Sequence, residues 1–238
     1  MTESDTDIVR GLSATQLEAV NHVDGPLLIV AGPGSGKTRV ISHRIARLVR
    51  VVGVSPENIG AVTFTNRAAR ELQSRMEQLL GLKAPGMSVG TFHSLCAHIL
   101  RANGDEIGVS SDFVIMDSDD QLNLVKRAMA TSEVDPKRIA PRAIIGSISW
   151  AKSQLLGPDS YLAQRNSYYD ELVCKIFAEY ERLLVRSHGL DFDDLLTKTV
   201  QLFRDRQDTR ARYQEKFRHF MVDEFQDTNT AQYLIARE

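Results

Sequence analysis

The hydrophobic positions of this chain follow two spacings, one typical of strands and one typical of helices. Residues 27–30, 59–64 and 220–222 are short, mainly apolar runs bounded by turn residues, a pattern that is typical of buried strands. Over residues 40–49 and 69–79 the apolar side chains recur every three or four positions, which predicts helices. Strands that alternate with helices favour a parallel sheet. The first part of the chain is therefore predicted to have an α/β fold.

Residues 89–91 are predicted to form another short strand, with a helix over 92–101 after it. Capping signals mark several helix starts in the sequence. Ser13 with Gln16, and Ser118 with Gln121, have the spacing of a capping box. Asp191, Ser167 and three prolines suit helix starts further along the chain, and these prolines are Pro136, Pro141 and Pro158.

Near residue 104 the alternation gives way to helical patterns alone, and after Gly189 the strand-and-helix alternation returns. Gly189 is predicted to end the long helix that Ser167 begins. An all-helical insertion over residues 115–188 is the simplest account. It would divide an α/β core domain into a first segment, residues 1–114, and a second segment, residues 189–238.

The overall composition excludes few functions, but the distribution of charge along the chain is informative. The 238 residues are 42% hydrophobic, enough for a sizeable core in one or two domains, and the formal net charge is only −2. Between residues 37 and 101, however, ten Lys and Arg residues stand against three Asp and Glu residues. Such an excess suits a nucleic-acid contact. Residues 115–188 are balanced, with ten of each sign.

Two classes of protein are disfavoured by the cysteines and by the first thirty residues. Cys96 and Cys174 are far apart and neither belongs to a CxxC pair, so no disulfide framework or zinc site is predicted. The acidic start and the lack of a long apolar run argue against a secretory signal and a membrane span. We expect a cytoplasmic protein. His93 and His98 are spaced too unevenly for one helical face, which argues against a metal pair.

Residues 31–38, AGPGSGKT, form the segment with the clearest chemistry. A predicted strand leads into a glycine-rich turn and a predicted helix, an arrangement that points backbone N–H groups at a polyphosphate. Lys37 can reach the β- and γ-phosphates, and the Thr38 hydroxyl can bind Mg²⁺. Ala31 stands where the usual pattern has glycine. The alternative is a glycine-rich linker, which fits the flanking strand and helix less well.

Asp223 and Glu224 follow the apolar run 220–222, at the carboxyl edge of the predicted sheet, where ligands collect in open α/β folds. Metal-assisted phosphoryl transfer needs one carboxylate for Mg²⁺ and one to activate water. Asp223 suits the first role and Glu224 the second. The alternative for this pair is a solvated acidic turn.

Phe64, Phe92 and His93 follow predicted strands at the same edge, within the basic segment. Nucleic-acid bases stack on such rings. The alternatives are core packing for the two phenylalanines and a local hydrogen bond for His93. Gln16 has two interpretations as well, as the second residue of the capping box or as a reader of the adenine edge.

Six motifs in order resemble the N-terminal half of UvrD/PcrA/Rep-type superfamily 1 DNA helicases. They are Gln16, 31–38 (AGPGSGKT), 63–69 (TFTNRAA), 90–94 (GTFHS), 190–195 (LDFDDL) and 222–229 (VDEFQDTN). The resemblance runs from about Leu12 to the last residue. It implies a RecA-like P-loop NTPase fold, a parallel sheet with helices on both faces that is interrupted by the helical insertion. Pro33 departs from the pattern, because small residues such as alanine are usual there.

The resemblance also implies cofactors and site residues. ATP and Mg²⁺ would be the cofactors. The nucleotide-binding residues would be Gln16, Ala31, Gly32, Pro33, Gly34, Ser35, Gly36, Lys37, Thr38 and Arg39, with Thr38 and Asp223 on the metal. The catalytic residues would be Lys37, Glu224 as the base and Gln226 as a sensor of the γ-phosphate. Single-stranded DNA would contact Phe64, Asn66, Thr91 and His93.

The expected function is therefore the ATP- and DNA-binding half of a 3′→5′ DNA helicase motor, acting in DNA repair or replication. Its partners would be single-stranded DNA, junctions of single- and double-stranded DNA, and a C-terminal motor domain in a longer chain. Later motifs of the family and its γ-phosphate arginines are not in these 238 residues. The alternatives are a non-motor module that binds ATP and DNA, or an unrelated P-loop phosphotransferase.

Overall fold

The computed structural model describes residues 8–81, 86–165 and 167–238. The helices of this part of the chain are α1 (Ala14–Asn21), α2 (Lys37–Arg47), α3 (Asn66–Leu80), α4 (Phe92–Asn103), α5 (Ser118–Thr131), α6 (Pro141–Ser153), α7 (Pro158–Gln164), α8 (Tyr168–Arg186), α9 (Phe192–Asp205), α10 (Gln207–Lys216) and α11 (Thr230–Arg237). The strands are β1 (Ile59–Thr63), β2 (Ser88–Thr91), β3 (Val114–Ile115), β4 (Gly189–Leu190) and β5 (His219–Val222). Short 3₁₀ turns occupy Pro56–Asn58, Gly104–Ile107 and Phe225–Asp227. No described helix has the length and apolar character needed to cross a membrane.

The chain divides into two compact units. The first runs to Leu95 and includes Ala211–Asp227, and the second comprises Cys96–Arg210 and Thr228–Glu238.

The first unit contains a three-stranded parallel sheet in the order β2-β1-β5. Thr63 lies opposite Thr91, and Val62 lies opposite Val222, so the carboxyl ends of the three strands meet at one edge. All five residues of the central strand, β1, are buried. Gly60 fits there because a Cβ atom would come within 2.7 Å of the Phe220 ring. The predicted α/β class and parallel sheet are confirmed.

One predicted strand is wrong. Residues 27–30 have no strand structure, and Leu28 and Val30 are 69% and 87% exposed. A strand forms only where its backbone finds a partner, and in the described part of the chain β5 pairs with β1 alone. An apolar run reveals the tendency of a segment to be buried, but it does not reveal a partner. The phosphate-loop sequence therefore follows a mostly exposed segment without regular secondary structure.

Helix α2 packs on α3, and the two cover the sheet with apolar side chains. The core here consists of Ile45, Leu48, Ile59, Ala61, Leu72 and Met76. Helix α2 continues into a π-helical turn, Leu48–Val52, which ends at Gly53 in a left-handed conformation. In α3 the buried residue of the last turn is Leu80.

The second unit is mainly helical, and α5, α6, α7 and α8 share one core, with Tyr161, Phe177 and Tyr180 among its fully buried side chains. Strands β3 and β4 flank these helices in sequence and pair with each other in parallel. The segment between them is thus helical and closed by a short sheet. The domain boundaries inferred from the sequence stay a prediction.

Three local predictions in this unit need correction. Helix α5 is capped by Asp117 with Asp120, one residue before the expected Ser118 box, because the Asp117 carboxylate accepts two backbone N–H bonds. Pro136 lies in a turn, while Pro141 and Pro158 begin helices as predicted.

Helix α8 begins after Ser167 as expected but ends at Arg186, before the Gly189 that was predicted to end it, and His188 has a left-handed conformation. Gly189 is instead part of β4. There a Cβ atom would collide with the terminal methyl group of Met116. The flexible end of the Met116 side chain would have to shift to admit a larger residue at this position.

Candidate functional site

The loop before α2 has the geometry of a phosphate-binding turn. Gly34 and Gly36 have φ angles of 75° and 87°, which strongly favour glycine. Gly36 caps α2 without a side-chain bond, so backbone N–H groups at the helix start are left for a ligand. Gly32 has no positive φ angle and no neighbour within 4 Å of a Cβ position, so its backbone does not require glycine. Residues 31–35 are exposed.

The ammonium group of Lys37 lies against its own loop. It donates to the carbonyl oxygens of Ala31 at 3.2 Å and Gly32 at 3.4 Å. Both acceptors are neutral, and phosphate oxygens are stronger acceptors for an ammonium group. The lysine is therefore placed at the mouth of the loop with weak partners that a phosphate can replace.

The first turn of α2 meets the end of β5 through one hydrogen bond. The Thr38 hydroxyl donates to Oδ2 of Asp223 at 3.0 Å, although 185 residues separate them. Asp223 is buried, its N–H donates to the Val62 carbonyl, and its Oδ1 accepts the N–H of Glu224. The carboxylate is thus held at the carboxyl edge of the sheet, beside the loop.

These two oxygens fit a Mg²⁺ ion. Mg²⁺ prefers octahedral oxygen ligands at about 2.1 Å, so neighbouring ligands lie about 3.0 Å apart. The spacing between Thr38 and Asp223 matches that value. No cluster of three or more His, Cys, Asp or Glu residues suited to a metal occurs in the described ranges. Such a cluster is not needed where substrate phosphates and water complete the shell.

Glu224 has a φ angle of 51°, an unusual conformation for a residue other than glycine. Its side chain is exposed, and Oε2 accepts a 2.6 Å hydrogen bond from the amide of Gln226. A strained backbone and a short side-chain bond fix the carboxylate beside Asp223. Water can reach it there.

Both amide atoms of Gln16 are already engaged. Oε1 accepts the N–H of Ser13, which completes the predicted capping box, and Nε2 donates to the carbonyl of Ser35 in the loop. Arg39 donates to the Arg10 carbonyl. The confirmed capping role of Gln16 is therefore compatible with a place beside the loop. Contacts of Gln16 and Arg39 with a nucleotide stay predictions.

Two of the four residues assigned to DNA lie directly after β1 and at the start of α3. Phe64 is half-buried, with its ring edge-on to Phe92 at 6.1 Å and 65°, and Asn66 is exposed in the first turn of α3. Phe92 itself is buried, so packing explains it. Phe64 is compatible with both interpretations, because its ring packs on Phe92 while its side chain stays partly exposed, and its contact with DNA stays a prediction.

Thr91 and His93 stand at the start of α4. Thr91 is buried and exchanges hydrogen bonds with Ser94, whose hydroxyl accepts the Thr91 N–H at 2.9 Å. Gly90 permits this arrangement, since a Cβ atom there would lie 2.5 Å from the Ser94 oxygen. Burial lowers the pKa of His93, so its imidazole favours the neutral form. The Thr91 hydroxyl thus has a structural role of its own.

Part of the basic excess is structural. Arg44 is buried, where it donates to the carbonyl groups of Ala19 and His22 at the end of α1, and burial lowers its pKa. Arg67 and Arg70 are exposed near the start of α3. The charge count overstated the cationic surface, because sequence alone does not reveal which arginines bind carbonyl groups.

Sequence reasoning missed a charged cluster in the second unit. Lys152 of α6 is buried against Asp191 and Asp194, two residues of the LDFDDL motif. The only sequence signal was the capping pattern of Asp191, which the structure confirms. The partner lies 39 residues away from Asp191, beyond the reach of any local pattern.

Comparison with known proteins agrees with this geometry. Residues 12–238 match the family described as UvrD/REP helicase N-terminal domain. The chain is 45% identical over 231 residues to "ATP-dependent DNA helicase PcrA" of Bacillus subtilis. The aligned region covers 97% of this chain and 31% of that protein. The proteins of the same name from Staphylococcus epidermidis and Staphylococcus aureus are 44% and 42% identical, with 97% of this chain and 32% of theirs covered.

The chain thus spans about a third of the length of these curated relatives. The family match covers most of the chain, and it includes the loop and the acidic pair described above. The chain belongs to the family of UvrD/REP helicase N-terminal domains.

Proposed function

We propose that this chain is the half of an ATP-dependent 3′→5′ DNA helicase that binds ATP and single-stranded DNA. The observation that carries the proposal is the bond between Thr38 and Asp223, which brings the phosphate-type loop and a buried carboxylate to one sheet edge. Translocation and unwinding would belong to the longer protein, with a second motor domain supplied by it. The polarity follows the resemblance, and the cytoplasmic location stays a prediction.

ATP would bind along the loop, with its phosphates on the backbone N–H groups at the start of α2. Lys37 would exchange the carbonyl groups of Ala31 and Gly32 for the β- and γ-phosphates. Gln16 and Arg39 would lie on the adenine side. Thr38 and Asp223 would hold Mg²⁺, which neutralises phosphate charge and orients the phosphates when bound.

Hydrolysis would use the exposed carboxylate of Glu224. A water molecule attacks the γ-phosphorus as Glu224 accepts its proton, and the bond from the γ-phosphorus to the bridging oxygen breaks with its electron pair left on ADP. Gln226, which bonds to Glu224 Oε2, would report the presence of the γ-phosphate. The hydrogen bond between the two side chains links that signal to the base.

DNA would cross the same sheet edge, with bases on the accessible part of Phe64 and phosphates near Asn66, Arg67 and Arg70. His93 would contact DNA as a neutral group. The buried Thr91 would act through the loop that it shapes with Ser94. A junction of single- and double-stranded DNA is the proposed substrate of the longer protein.

Steady-state ATP hydrolysis with and without single-stranded DNA tests this proposal. We expect slow turnover that DNA stimulates, together with Mg-ATP binding that Lys37→Ala weakens. Lys126→Ala, which removes an exposed lysine from the second unit, is the matched control and should bind as the parent does. Binding that is equal in parent and Lys37→Ala would contradict the nucleotide assignment. If the parent chain binds ATP but hydrolyses it at the same rate with and without single-stranded DNA, the alternative of a non-motor module is favoured.

A further inference from the structure

The LDFDDL motif has no role in the function proposed above, and its two buried carboxylates converge on one lysine. Lys152 Nζ lies 2.8 Å from Asp191 Oδ2, 2.7 Å from Asp194 Oδ1 and 2.7 Å from Glu181 Oε1. Lys152, Asp191 and Asp194 are only 4%, 1% and 3% exposed. The cluster joins α6 and α8 to the first turn of α9, within the second unit.

One ammonium group faces three carboxyl groups in this cluster. Buried charges are tolerated when they are balanced, and carboxylates that share a site cannot all ionise easily. Two of the three carboxyl groups are almost wholly removed from water, so the excess negative charge is poorly screened. The arrangement therefore favours the uptake of one proton.

The hydrogen bonds identify the carboxyl group that would take the proton. Asp191 accepts three donors, namely Lys152, the Tyr180 hydroxyl at 2.8 Å and the N–H of Asp194 at 2.8 Å. Asp194 accepts only two, Lys152 and the N–H of Asp191 at 3.2 Å. Glu181 keeps 31% of its side chain in solvent. Of the two carboxylates that are almost wholly buried, Asp194 is thus the less stabilised anion.

The direction of the pKa shifts agrees with this ranking. Burial raises the pKa of Asp194 to about 7; Lys152 opposes the rise, and the charges of Asp191 and Glu181 add to it. Burial also acts to raise the pKa of Asp191, but Lys152 and the three hydrogen bonds bring it below its usual value. The pKa of Lys152 is raised despite its burial, so the lysine stays charged.

Among the described residues, Lys152 is the cation paired with Asp194, and Lys198, one turn further along α9, donates instead to Gln201. Asp193 lies on the same turn, and burial raises its pKa. Helix α9 also packs on the Gly104–Ile107 turn and on α11. In that turn Asp105 is exposed and Glu106 accepts hydrogen bonds from Arg206 and Thr209. In α11 the charged and titratable groups are Tyr233, which has an exposed side chain, and Arg237, which pairs with Glu238.

We propose that Lys152, Asp191, Asp194 and Glu181 form a proton-binding site that holds the first turn of α9 against α6 and α8. With the proton on Asp194, Lys152 is shared by two carboxylates and one neutral acid. Loss of the proton places a second full negative charge in the buried part of the cluster. The first turn of α9, which presents the exposed ring of Phe192, is then held less firmly.

Two measurements on the 238-residue chain test the site. The first follows the carboxyl ¹³C resonance of Asp194 by NMR through a pH titration, and we expect a midpoint near neutrality. The second measures urea unfolding between about pH 5 and pH 8. An acid whose pKa is raised in the folded state contributes stability that is lost as pH rises to that pKa, by up to about tenfold in the folded-to-unfolded ratio per pH unit.

The comparison variant is Asp194→Asn, which imitates the neutral acid and should abolish this part of the pH dependence. Asp205→Asn removes an exposed carboxylate from the other end of α9 and should leave it unchanged. Lowered pKa values of His93 and His219 oppose the trend, so the difference between parent and variant is the quantity to use. If Asp194→Asn does not fold, the NMR midpoint alone decides. A midpoint near pH 4, or equal pH dependence in parent and Asp194→Asn, would overturn the proposal.

Discussion

Substitution of Phe64 separates a DNA-stacking role from a packing role. The Phe64 ring packs edge-on against the buried Phe92 ring, with 6.1 Å between the ring centroids, and the Phe64 side chain is partly exposed. An aromatic pair of this kind contributes about 0.5–1.5 kcal/mol beyond its buried area. A base on the accessible part would contribute about 1–3 kcal/mol to DNA binding, which is about five- to 150-fold in the dissociation constant.

Phe64→Leu is the informative change, because leucine keeps an apolar side chain over Phe92 and removes the flat ring. We expect the free energy of unfolding to fall by no more than about 1.5 kcal/mol. The affinity for single-stranded DNA should fall at least about five-fold. Phe64→Trp, which keeps a ring, should bind DNA close to the parent affinity.

Fluorescence anisotropy with a labelled oligonucleotide gives the affinity, and urea unfolding gives the stability of each variant. Tyr168→Leu removes an exposed ring from the second unit and is the control for a general loss of aromatic surface. A Phe64→Leu chain that is folded and binds DNA as tightly as the parent would refute the stacking role. Phe64 would then be a packing residue only.

Three further outcomes are expected. Glu224→Gln should keep ATP binding near the parent value, as measured by calorimetry, and should remove hydrolysis in the longer protein, as measured by phosphate release. The reason is that the amide keeps the shape of the side chain but cannot act as the base. Hydrolysis at the parent rate would exclude Glu224 as the base. Gly36→Ala should weaken ATP binding strongly, because alanine is strained at a φ angle of 87° and its Cβ atom would lie 3.0 Å from Gln16 Nε2. The control is Gly146→Ala, at a helical position with open space around it, which should leave ATP binding unchanged. Ser94→Ala should lower the free energy of unfolding by about 0.5–2 kcal/mol through loss of the cap on α4; an unchanged value would mean that another group takes over the Thr91 N–H.

The features that could be predicted from sequence are those that neighbouring residues determine. The helix starts predicted at Ser13, Ser167 and Asp191 are confirmed because each cap and its partner lie within one helical turn. The same signal was displaced by one residue at Ser118, since Asp117 is an equally good cap and stands next to it. Parallel pairing followed from the alternation of strands and helices.

The features that could not be predicted depend on residues far apart in sequence. Residues 27–30 have the composition of a strand, but pairing depends on which edge is open. Arg44 counted as surface charge until the structure placed it on carbonyl groups of α1. Lys152 carries no local signal in the sequence, because its partner Asp191 lies 39 residues away. The bond between Thr38 and Asp223 is the exception, because the motif order of the family indicated that these residues would meet.

The central claim is that Thr38 and Asp223 together bind the metal of Mg-ATP. It is tested most directly by calorimetric titration of ATP in the presence and absence of Mg²⁺, with Thr38→Val and Thr38→Ser beside the parent. Valine has the shape of threonine without the hydroxyl, and serine keeps the hydroxyl. The account predicts that Mg²⁺ tightens ATP binding in the parent and in Thr38→Ser, and that Thr38→Val loses most of this gain. An equal gain from Mg²⁺ in all three chains would contradict it.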